Sequence, residues 1–365
     1  MTADPRAAIR RARRLVVKIG SSTLAKDAGA YDRLAESIAA LASAKRQVVL
    51  VSSGAIALGT KKLGYRARPK EMARLQAAAA AGQSLLMRAY ENAFDRVGIA
   101  VAQVLLTHAD LADRVRGNNA RAALSALLDA GAVPILNEND SVAVEEIKFG
   151  DNDELSAMVT PLVDAEVLVL LSDVEGLLDA RGERVKIVHD VATEALPLVR
   201  AKKSDVGTGG MASKIEAARR ATLAGAHVVI ADARKTDVLA RIFGGEDEGT
   251  VFVASPDRLT AKKHWIAFTL RPRGDLVLDA GAAAAVTGKG KSVLAVGVSG
   301  VRGDFRTGDS VRLRGPGGEE LGRGLARCSA AEAVVIAGRK DPKSKKSGDH
   351  DDRAVLVHRD DLVVW

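Results

Sequence analysis

Several residue types and patterns are scarce in this 365-residue chain. Cys328 is its only cysteine, which excludes an intrachain disulfide and is expected of a protein kept in a reducing cytosol. Aromatic residues make up only 3% of the chain, and no apolar run reaches the roughly 18 residues needed to span a membrane. Residues 1–18 also lack the apolar stretch of a secretory signal. We therefore expect a cytoplasmic protein without membrane segments.

The net charge of +8 is unevenly distributed. Residues 1–18 contain six basic residues and one acidic residue, so most of the excess lies at the N-terminus. This distribution argues against a basic face that binds nucleic acid. The arginines are weakly similar to an organelle-targeting peptide, but a strand predicted from Leu15 leaves little room for a removable leader. We expect residues 1–13 to be a basic N-terminal tail.

Short β-rich runs alternate with amphipathic helices through the first two thirds of the chain. Runs such as VVLV at 48–51 and VLVLL at 167–171 are apolar throughout, as expected of parallel strands covered on both faces. The alternation predicts an α/β fold with a doubly wound, mainly parallel sheet, in which ligands bind beyond the carboxyl ends of the strands. The predicted strands cover residues 15–19, 47–51, 100–106, 133–136, 167–171, 227–231 and 250–253, and the predicted helices lie near 31–45, 70–97, 110–130, 153–163 and 211–224.

The composition changes near residues 270–274, where the sequence reads LRPRG. Beyond this point helix signals become rare, and short strands punctuated by Gly and Arg take over. We therefore predict a first domain at 14–270 and a small β-rich domain at 274–365. Residues 338–352 contain no apolar side chain and are expected to form a surface loop. The strands predicted in the second domain are 276–278, 293–296, 310–313, 321–326 and 334–336.

The segment KKSDVGTGGMASKIEAARR at 202–220 carries the clearest functional signal. Gly207, Gly209 and Gly210 form a flexible loop that opens a helix, and Lys214 lies in the first turn of that helix. Free backbone N–H groups and the positive end of the helix dipole suit phosphate oxygens, and the lysine adds a full positive charge. The alternative is a helix that follows an ordinary surface loop, and this segment alone does not decide between the two.

Five further polar loops follow or adjoin apolar strands, at 16–22, 51–59, 134–144, 147–157 and 170–177. Each has an ordinary structural explanation, because Ser53 and Asp153 can cap helices and the cluster 137–140 can form a turn. Taken together, however, they would meet at one edge of a parallel sheet. Two lysines, several carboxylates and a glycine-rich loop at that edge predict phosphoryl transfer to a small polar substrate.

Competing motifs fail because their context is wrong. No GxxxxGK[ST] sequence is present, which excludes a P-loop enzyme. GTGGMA at 207–212 imitates a dinucleotide fingerprint but follows a polar loop, which disfavours a nicotinamide dehydrogenase. HRD at 358–360 lies too near the C-terminus to be the catalytic loop of a protein kinase. His189, His227 and His264 lack the spacing of metal ligands.

In chain order, seven segments resemble those of bacterial glutamate 5-kinases, which belong to the amino acid kinase superfamily. The terminal VHRDDL and the β-rich segment before it resemble the PUA domain appended in that family. NEND and IKFGDND distinguish this family from acetylglutamate kinase, aspartokinase, uridylate kinase and carbamate kinase, which share the fold. The segments are VVKIG, VSSGAIALG, LLTHADL, NNARAAL, VPILNEND, EIKFGDND and GTGGMASK.

The resemblance implies phosphorylation of the γ-carboxylate of L-glutamate to L-glutamyl 5-phosphate, the first step of proline biosynthesis, with ATP and Mg²⁺. It implies that Lys18 and Lys214 hold the ATP phosphates and that Asp153 orients these lysines, while the metal ligands stay open. The positions implied to bind glutamate are Ser53, Asp140 and Asn152. The positions implied to bind the nucleotide are Lys18, Ser172, Asp173, Thr208, Gly209, Gly210, Met211, Ala212, Ser213 and Lys214.

The resemblance also implies inhibition by proline, a homo-oligomer (dimer or tetramer) and transfer of the product to glutamyl phosphate reductase. In one loop the chain departs from the family, because many members carry a Tyr and an Asp-Pro pair where this chain reads GLLDARGE at 176–183. Adenine contacts are therefore not predicted there. RNA binding by the C-terminal domain is the alternative from another class. Its nearly balanced charge and its lack of interleaved aromatics disfavour that alternative.

Overall fold

The computed structural model describes residues 4–26, 29–142, 152–201, 210–338 and 355–365. These residues form two compact units, which divide between Arg258 and Leu259. The first unit is α/β, and the second is built mainly from short strands. Within the described ranges, no helix is long and apolar enough to cross a membrane.

The first unit contains an eight-stranded sheet with the order β3-β4-β2-β1-β5-β7-β8-β6. Neighbouring strands from β3 to β7 are parallel, β8 is antiparallel to β7, and β6 pairs in parallel with β8. Each predicted strand of this unit overlaps one of these, and only the two-residue β6 was not predicted. The strands are β1 Arg14–Ile19, β2 Gln47–Ser52, β3 Val101–Leu106, β4 Val133–Glu138, β5 Val167–Ser172, β6 Ile187–Val188, β7 His227–Asp232 and β8 Thr250–Phe252.

Helices cover both faces of this sheet, which confirms the predicted doubly wound class. In β1, Leu15 and Val17 pack into one core and Val16 into the other, because successive strand residues point to opposite faces. The helices are α1 Pro5–Arg11, α2 Ser21–Lys26, α3 Ala30–Ser43, α4 Ala55–Lys62, α5 Met72–Asp95, α6 His108–Ala112, α7 Arg114–Asp129, α8 Asn152–Leu162, α9 Leu196–Ala201, α10 Met211–Leu223 and α11 Val238–Gly244.

The N-terminal residues that we expected to be a basic tail are part of the fold. Helix α1 begins after Asp4, which caps it, and Ile9 is buried in one of the two cores. The guanidinium of Arg6 donates hydrogen bonds to the backbone oxygens of Glu246 and Glu248, at 2.9 and 3.1 Å. These contacts attach α1 to the segment between α11 and β8. A count of charges could not reveal them.

The second unit begins before residue 270, the boundary that the change in composition predicted. Helix α12 (Ala261–His264) and the helical turn Trp265–Thr269 pack within this unit. Arg323 donates a hydrogen bond to the backbone oxygen of Ala267 at 2.9 Å, and the ring of Phe268 stacks on Trp365 with centroids 6.3 Å apart. The LRPRG segment therefore marks the approach to the first strand of the second unit rather than the unit boundary.

The second unit contains a five-stranded sheet of order β11-β9-β12-β13-β15 and a two-stranded sheet of β10 and β14. In the larger sheet only β9 and β12 pair in parallel. The surface loop predicted at 338–352 lies, apart from Gly338, outside the described residues. The strands are β9 Gly274–Leu278, β10 Val293–Leu294, β11 Val298–Gly303, β12 Ser310–Arg314, β13 Glu320–Leu325, β14 Val355–Val357 and β15 Leu362–Val364.

Three helices of this unit were not predicted, the four-residue α12 and two longer ones. The strand predicted at 334–336 is wrong, because these residues end helix α14 (Ala330–Ile336). Ser329 and Glu332 form a reciprocal capping box that begins this helix, and the cap outweighs the β-branched residues that suggested a strand. Helix α13 (Ala280–Lys289) is rich in alanine and is capped by Asp279.

Candidate active site

The candidate site lies at the carboxyl ends of four adjacent parallel strands, β4, β2, β1 and β5. Ile19 at the end of β1 pairs with Ser52 of β2 on one side and with Leu171 of β5 on the other. The chain leaves β1 toward β2, whereas β5 returns on the opposite side of β1. This reversal opens a crevice between neighbouring loops, where ligands bind in open α/β sheets.

A buried cluster of three charged side chains lies at this edge. The Nζ atom of Lys18 is 2.5 Å from Oδ1 of Asp153, and the Nζ atom of Lys214 is 3.2 Å from its Oδ2. Ser213 donates a hydrogen bond to the same Oδ2 at 3.0 Å. The three residues that the sequence predicts to handle the phosphates are therefore in direct contact, although 61 positions or more separate Lys214 from the other two. We call them the Lys18–Asp153–Lys214 cluster.

The cluster is almost completely removed from solvent. Asp153 is 0% exposed, Lys18 6% and Lys214 5%. Burial alone would raise the pKa of Asp153, but the two ammonium groups outweigh it and hold the pKa below its ordinary value. The carboxylate therefore stays ionised, and the cluster keeps a net charge of about +1 in a medium of low dielectric constant, where charges interact strongly.

Three separate elements bring the cluster together. Lys18 is the penultimate residue of β1, Asp153 is the second residue of α8, and Lys214 lies in the first turn of α10. Helices α8 and α10 pack against each other. The N-cap of α10, Gly210, has no side chain to satisfy the N–H groups of the first turn, so these donors suit an anion. Thr208 and Gly209 lie outside the described residues.

A cavity of about 370 Å³ adjoins the cluster. Its wall includes Ser53, Asp140 and Asn152, the three residues predicted to bind glutamate. Because Asn152 and Asp153 are consecutive at the start of α8, the cavity and the cluster share one helix N-terminus. Gly54, with φ of +119°, forms the turn that carries the chain from β2 into α4 along another wall.

The amide of Asn152 is held by a network of hydrogen bonds. Its Nδ2 lies 2.6 Å from the backbone oxygen of Ser52, 2.8 Å from Oγ of Ser53 and 2.9 Å from Oδ1 of Asn137. A backbone oxygen can only accept, so the nitrogen must be the atom that faces Ser52. The atom that Asn152 can offer to a ligand in the cavity is therefore its carbonyl oxygen, Oδ1.

The carboxylate of Asp140 lies in the wall of the cavity and is largely shielded from water. Burial raises its pKa to about 6, although the positive charge of Arg68 acts in the opposite direction. At neutral pH Asp140 is mostly ionised, and a positively charged group in the cavity would stabilise that form. Asp140 and the Oδ1 atom of Asn152 thus form a pair of acceptors suited to an ammonium group.

Two of the remaining predicted nucleotide residues, Ser172 and Asp173, lie at the end of β5. Ser172 is buried, pairs in register with Asp232 of β7, and donates a hydrogen bond to the exposed Asp173 at 3.2 Å. Of the helix-start residues, Met211 and Ala212 open α10. In the described part of the chain, no group of three or more His, Cys, Asp or Glu side chains could hold a metal ion.

The comparisons with known proteins decide the family. A model of the amino acid kinase family matches residues 13–232. The chain is 46% identical to glutamate 5-kinase of Cupriavidus metallidurans and 48% identical to glutamate 5-kinase of Ralstonia nicotianae, in both cases over 98% of this chain and 99% of the relative. The chain belongs to the glutamate 5-kinase family. The predicted kinase is thereby confirmed.

Two further comparisons agree with this membership. A model of the PUA domain matches residues 274–347, which confirms the predicted C-terminal domain type of this glutamate 5-kinase family member. A carbamate kinase from Giardia superposes with a TM-score of 0.50 at 16% identity, over 67% of this chain and all of that structure. At this identity the likeness shows the fold alone, and that fold is the α/β class predicted from the sequence.

Several residues around the cavity of this glutamate 5-kinase family member were not predicted from the sequence. Lys61, Arg66 and Arg68 line it, and Gln83 accepts a hydrogen bond from Asn137, a member of the predicted polar cluster 137–140. Lys61 lies in the last turn of α4, Arg66 and Arg68 follow that helix in a loop that carries no motif, and Gln83 lies inside an alanine-rich helix. No signal in the sequence separates these residues from ordinary surface or core residues.

Proposed function

We propose that this chain transfers the γ-phosphoryl group of ATP to the γ-carboxylate of L-glutamate, forming L-glutamyl 5-phosphate for proline biosynthesis. One observation carries the proposal. The first two residues of α8 serve two adjacent sites. Asn152 lines the polar cavity, and Asp153 binds both lysines of the positively charged cluster. A small amino acid in the cavity would have its side chain within reach of phosphates at the cluster.

The nucleophile in this reaction needs no activation. The γ-carboxyl group of glutamate has a solution pKa of about 4.3, so it is ionised at neutral pH. The difficulty lies in bringing two anions together and in stabilising the charge that develops on the transferring group. Positioned cations and N–H donors supply that stabilisation, and no general base is required. A serine, cysteine or histidine nucleophile would have no task in such a site.

The Lys18–Asp153–Lys214 cluster suits this work. Two ammonium groups can contact phosphate oxygens, while the carboxylate between them offsets their mutual repulsion and fixes their positions. Because the three side chains are buried and hydrogen-bonded before a ligand arrives, little reorganisation is needed during transfer. The N–H groups at the start of α10 add further donors for the same phosphates.

The cavity suits the amino-acid end of glutamate. The carboxylate of Asp140 and the Oδ1 atom of Asn152 can accept hydrogen bonds from the ammonium group. The hydroxyl of Ser53 and the nearby N–H groups at the start of α4 can donate to a carboxylate. The cationic side chains of Arg66 and Arg68 at the wall favour an anionic substrate.

Magnesium is implied by the family, but the described residues do not provide a metal site of their own. No suitable group of carboxylates is present among them, and Asp153 is already paired with two lysines. Mg²⁺ commonly reaches such sites bound to nucleotide phosphates with several of its waters retained. We therefore assign the ion to the ATP complex and no step of the reaction to a resident metal.

The proposal is tested by measuring ADP release with a panel of acceptors. L-glutamate should support turnover, whereas N-acetylglutamate, UMP and carbamate should give rates close to the ATPase background. N-acetylglutamate is the informative control, because it keeps both carboxylates but lacks the ammonium group that Asp140 and Asn152 would bind. Turnover with another member of the panel, and not with glutamate, would refute the proposal.

We further propose that proline inhibits by overlapping the glutamate site. Proline shares the α-carboxylate and the charged nitrogen of glutamate but lacks the γ-carboxylate. Asp140→Asn should therefore raise the KM for glutamate and the proline concentration for half inhibition together, while the KM for ATP changes little. Unchanged proline sensitivity alongside a large loss of glutamate affinity would place the two ligands at separate sites.

Assembly and product transfer complete the proposal. We expect a homo-oligomer, a dimer or a tetramer, which light scattering on the full chain would measure. An acyl phosphate is prone to hydrolysis, so a reductase that consumes it directly would protect it. A coupled assay with glutamyl phosphate reductase, in the presence of an acyl phosphatase as a trap, would show whether the product passes through free solution.

A further inference from the structure

The side-chain amides of Asn152 and Asn137 at the cavity wall are joined by a third amide, that of Gln83, which does not line the cavity. Asn137 donates a hydrogen bond from Nδ2 to Oε1 of Gln83 at 2.9 Å. Its own Oδ1 accepts from the backbone N–H of Glu138 and from Nδ2 of Asn152, both at 2.9 Å. A chain of side-chain amides therefore runs from Gln83 on α5, through Asn137 at the end of β4, to Asn152.

Backbone groups at two points determine the direction of every amide in this chain. The N–H of Glu138 can only donate, so the atom of Asn137 that faces it must be Oδ1. The Nδ2 of Asn137 then faces Gln83, which must present its oxygen. The backbone oxygen of Ser52 likewise requires Nδ2 of Asn152 to face it.

Of the three hydrogen-bonded amides, Gln83 has an unusual environment. It is 9% exposed, and within the described part of the chain its Nε2 atom is buried without a hydrogen-bond partner. A buried, unsatisfied amide nitrogen is unfavourable and is rare in folded proteins. Among the described residues, Gln83 bonds through its oxygen to Asn137, which lines the cavity.

The geometry points to Gln83 as a positioning residue for the substrate ammonium group. By accepting from Asn137, Gln83 holds the oxygen of Asn137 toward Nδ2 of Asn152, which keeps Oδ1 of Asn152 available to the cavity. This inference rests on the proposed function, because it assigns an acceptor to the amino group of glutamate. It adds a residue outside the cavity wall to those that determine recognition of the α-amino group.

The position of Gln83 is itself fixed by the packing of α5. The preceding residue, Gly82, contacts α4 so closely that a Cβ atom there would lie 1.8 Å from the backbone oxygen of Ala55. About two helical turns further on, the hydroxyl of Tyr90 lies 2.7 Å from Oγ of Ser52 and ties α5 to the end of β2. Gln83 therefore projects from a helix that cannot easily shift.

Two substitutions at this position separate positioning from folding. Gln83→Met has a similar length but no acceptor, so Nδ2 of Asn137 loses its partner and Asn137 is held less firmly against the amide of Asn152. Loss of one such hydrogen bond should raise the KM for glutamate by about tenfold. Gln83→Glu keeps an acceptor oxygen, and since Nε2 has no partner to lose, this variant should restore the KM to within about threefold of wild type.

The decisive readout compares L-glutamate with glutarate, which has both carboxylates but no ammonium group. In Gln83→Met, kcat/KM should fall for glutamate and change by less than about twofold for glutarate, and the KM for ATP should stay near the wild-type value. Gln103→Met, at an exposed glutamine of β3, is the matched control and should leave all three quantities unchanged.

Three results would overturn the inference. An unchanged KM for glutamate in Gln83→Met would remove the positioning role. Equal losses for glutamate and glutarate, together with a lowered Tm, would show a purely structural role. Failure of Gln83→Glu to recover would show that the acceptor is not what matters. If the wild-type protein itself does not phosphorylate glutamate, the proposed function fails first, and the inference fails with it.

Discussion

Oδ1 of Asp153 lies 2.5 Å from Nζ of Lys18, in a pair whose members are 0% and 6% exposed. The carboxylate also contacts Lys214, so one anion serves two cations. Buried ion pairs are often no more stabilising than apolar residues of the same size, because desolvation offsets their attraction. The position of this pair at the edge of a parallel sheet and the positive charge of the cluster support the proposed contact with the phosphates of ATP.

Replacing either lysine of the cluster should abolish most of the turnover. Lys18→Ala and Lys214→Ala each remove a charge needed chiefly in the transition state, and comparable losses of one stabilising group lower kcat by about 10²–10³. Steady-state kinetics with a circular dichroism check would measure this. Lys186→Ala, at an exposed lysine paired with Asp247, is the control and should behave as wild type. Near-native turnover in either cluster variant would remove its assigned role.

Removing the shared carboxylate should affect stability as well as turnover. Asp153→Ala leaves the ammonium groups of Lys18 and Lys214 buried without their common partner, and loss of one member of a buried pair costs on the order of 3–5 kcal/mol. Urea unfolding should therefore show a larger loss for Asp153→Ala than for Lys18→Ala, in which one ion pair survives. Equal stabilities of the two variants would contradict the proposed sharing of charge.

Glutamate affinity should depend on pH near 6. The pKa of Asp140 is raised to about 6 by burial, so the side chain gains a proton and loses its charge as the pH falls through that value. The attraction for the substrate ammonium is then lost, and the KM for glutamate should rise between pH 7 and pH 5. The γ-carboxyl group of glutamate, with a pKa of about 4.3, stays mostly ionised over this range.

The control for this pH dependence is Asp140→Asn. Its KM for glutamate should be high at every pH and should show no inflection near 6. An inflection that persists in this variant would have to come from another group, and the assignment to Asp140 would be abandoned.

A single methyl group at the crossing of α4 and α5 should disturb the cavity. In Gly59→Ala the new Cβ would lie 1.7 Å from the backbone oxygen of Ala78, so the helices must separate. Overpacking of this kind costs about 1–3 kcal/mol, and the KM for glutamate should rise because α4 forms a cavity wall. Gly117→Ala is the control, since its Cβ meets nothing closer than 3.6 Å. Unchanged stability and KM in Gly59→Ala would contradict the close crossing.

The first unit should function alone when it ends at the right residue. A fragment of residues 1–258 keeps every residue of the candidate site and should remain soluble with ATP- and glutamate-dependent turnover. A fragment of residues 1–270 adds Ile266 and Phe268, which are buried in the second unit, and should aggregate more readily. Size-exclusion chromatography and ADP release would measure both. A folded but inactive 1–258 fragment would show that the second unit contributes to catalysis.

Much of the first unit could be predicted from sequence because its strands are unusually apolar. A parallel strand covered on both faces has no polar alternation to obscure it, and β1, β2 and β5 were located to within a residue. The failures lie where tertiary contacts or caps decide. Arg6 attaches the predicted N-terminal tail to the fold as a packed helix, and Ser329 caps a helix where a strand was predicted.

In the candidate site, too, some residues could be predicted from the sequence and others could not. Lys18, Asp153 and Lys214 stand out individually as charged residues beside strand ends or glycine loops, and the parallel register explains why they meet. Their roles stay predictions until they are tested. Gln83 could not be found in this way, because its importance depends on which neighbour its oxygen faces across two elements. Such a contact leaves no trace in composition or spacing.

Trapping of the acyl phosphate would show whether the chain transfers a phosphoryl group to the γ-carboxylate of glutamate. The full chain is incubated with ATP, Mg²⁺, L-glutamate and hydroxylamine, which converts an acyl phosphate to a stable hydroxamate. We expect γ-glutamyl hydroxamate in a 1:1 ratio to ADP, with neither formed above background by Lys214→Ala. ADP release without hydroxamate, or no glutamate-dependent ADP release, would contradict the proposed transfer.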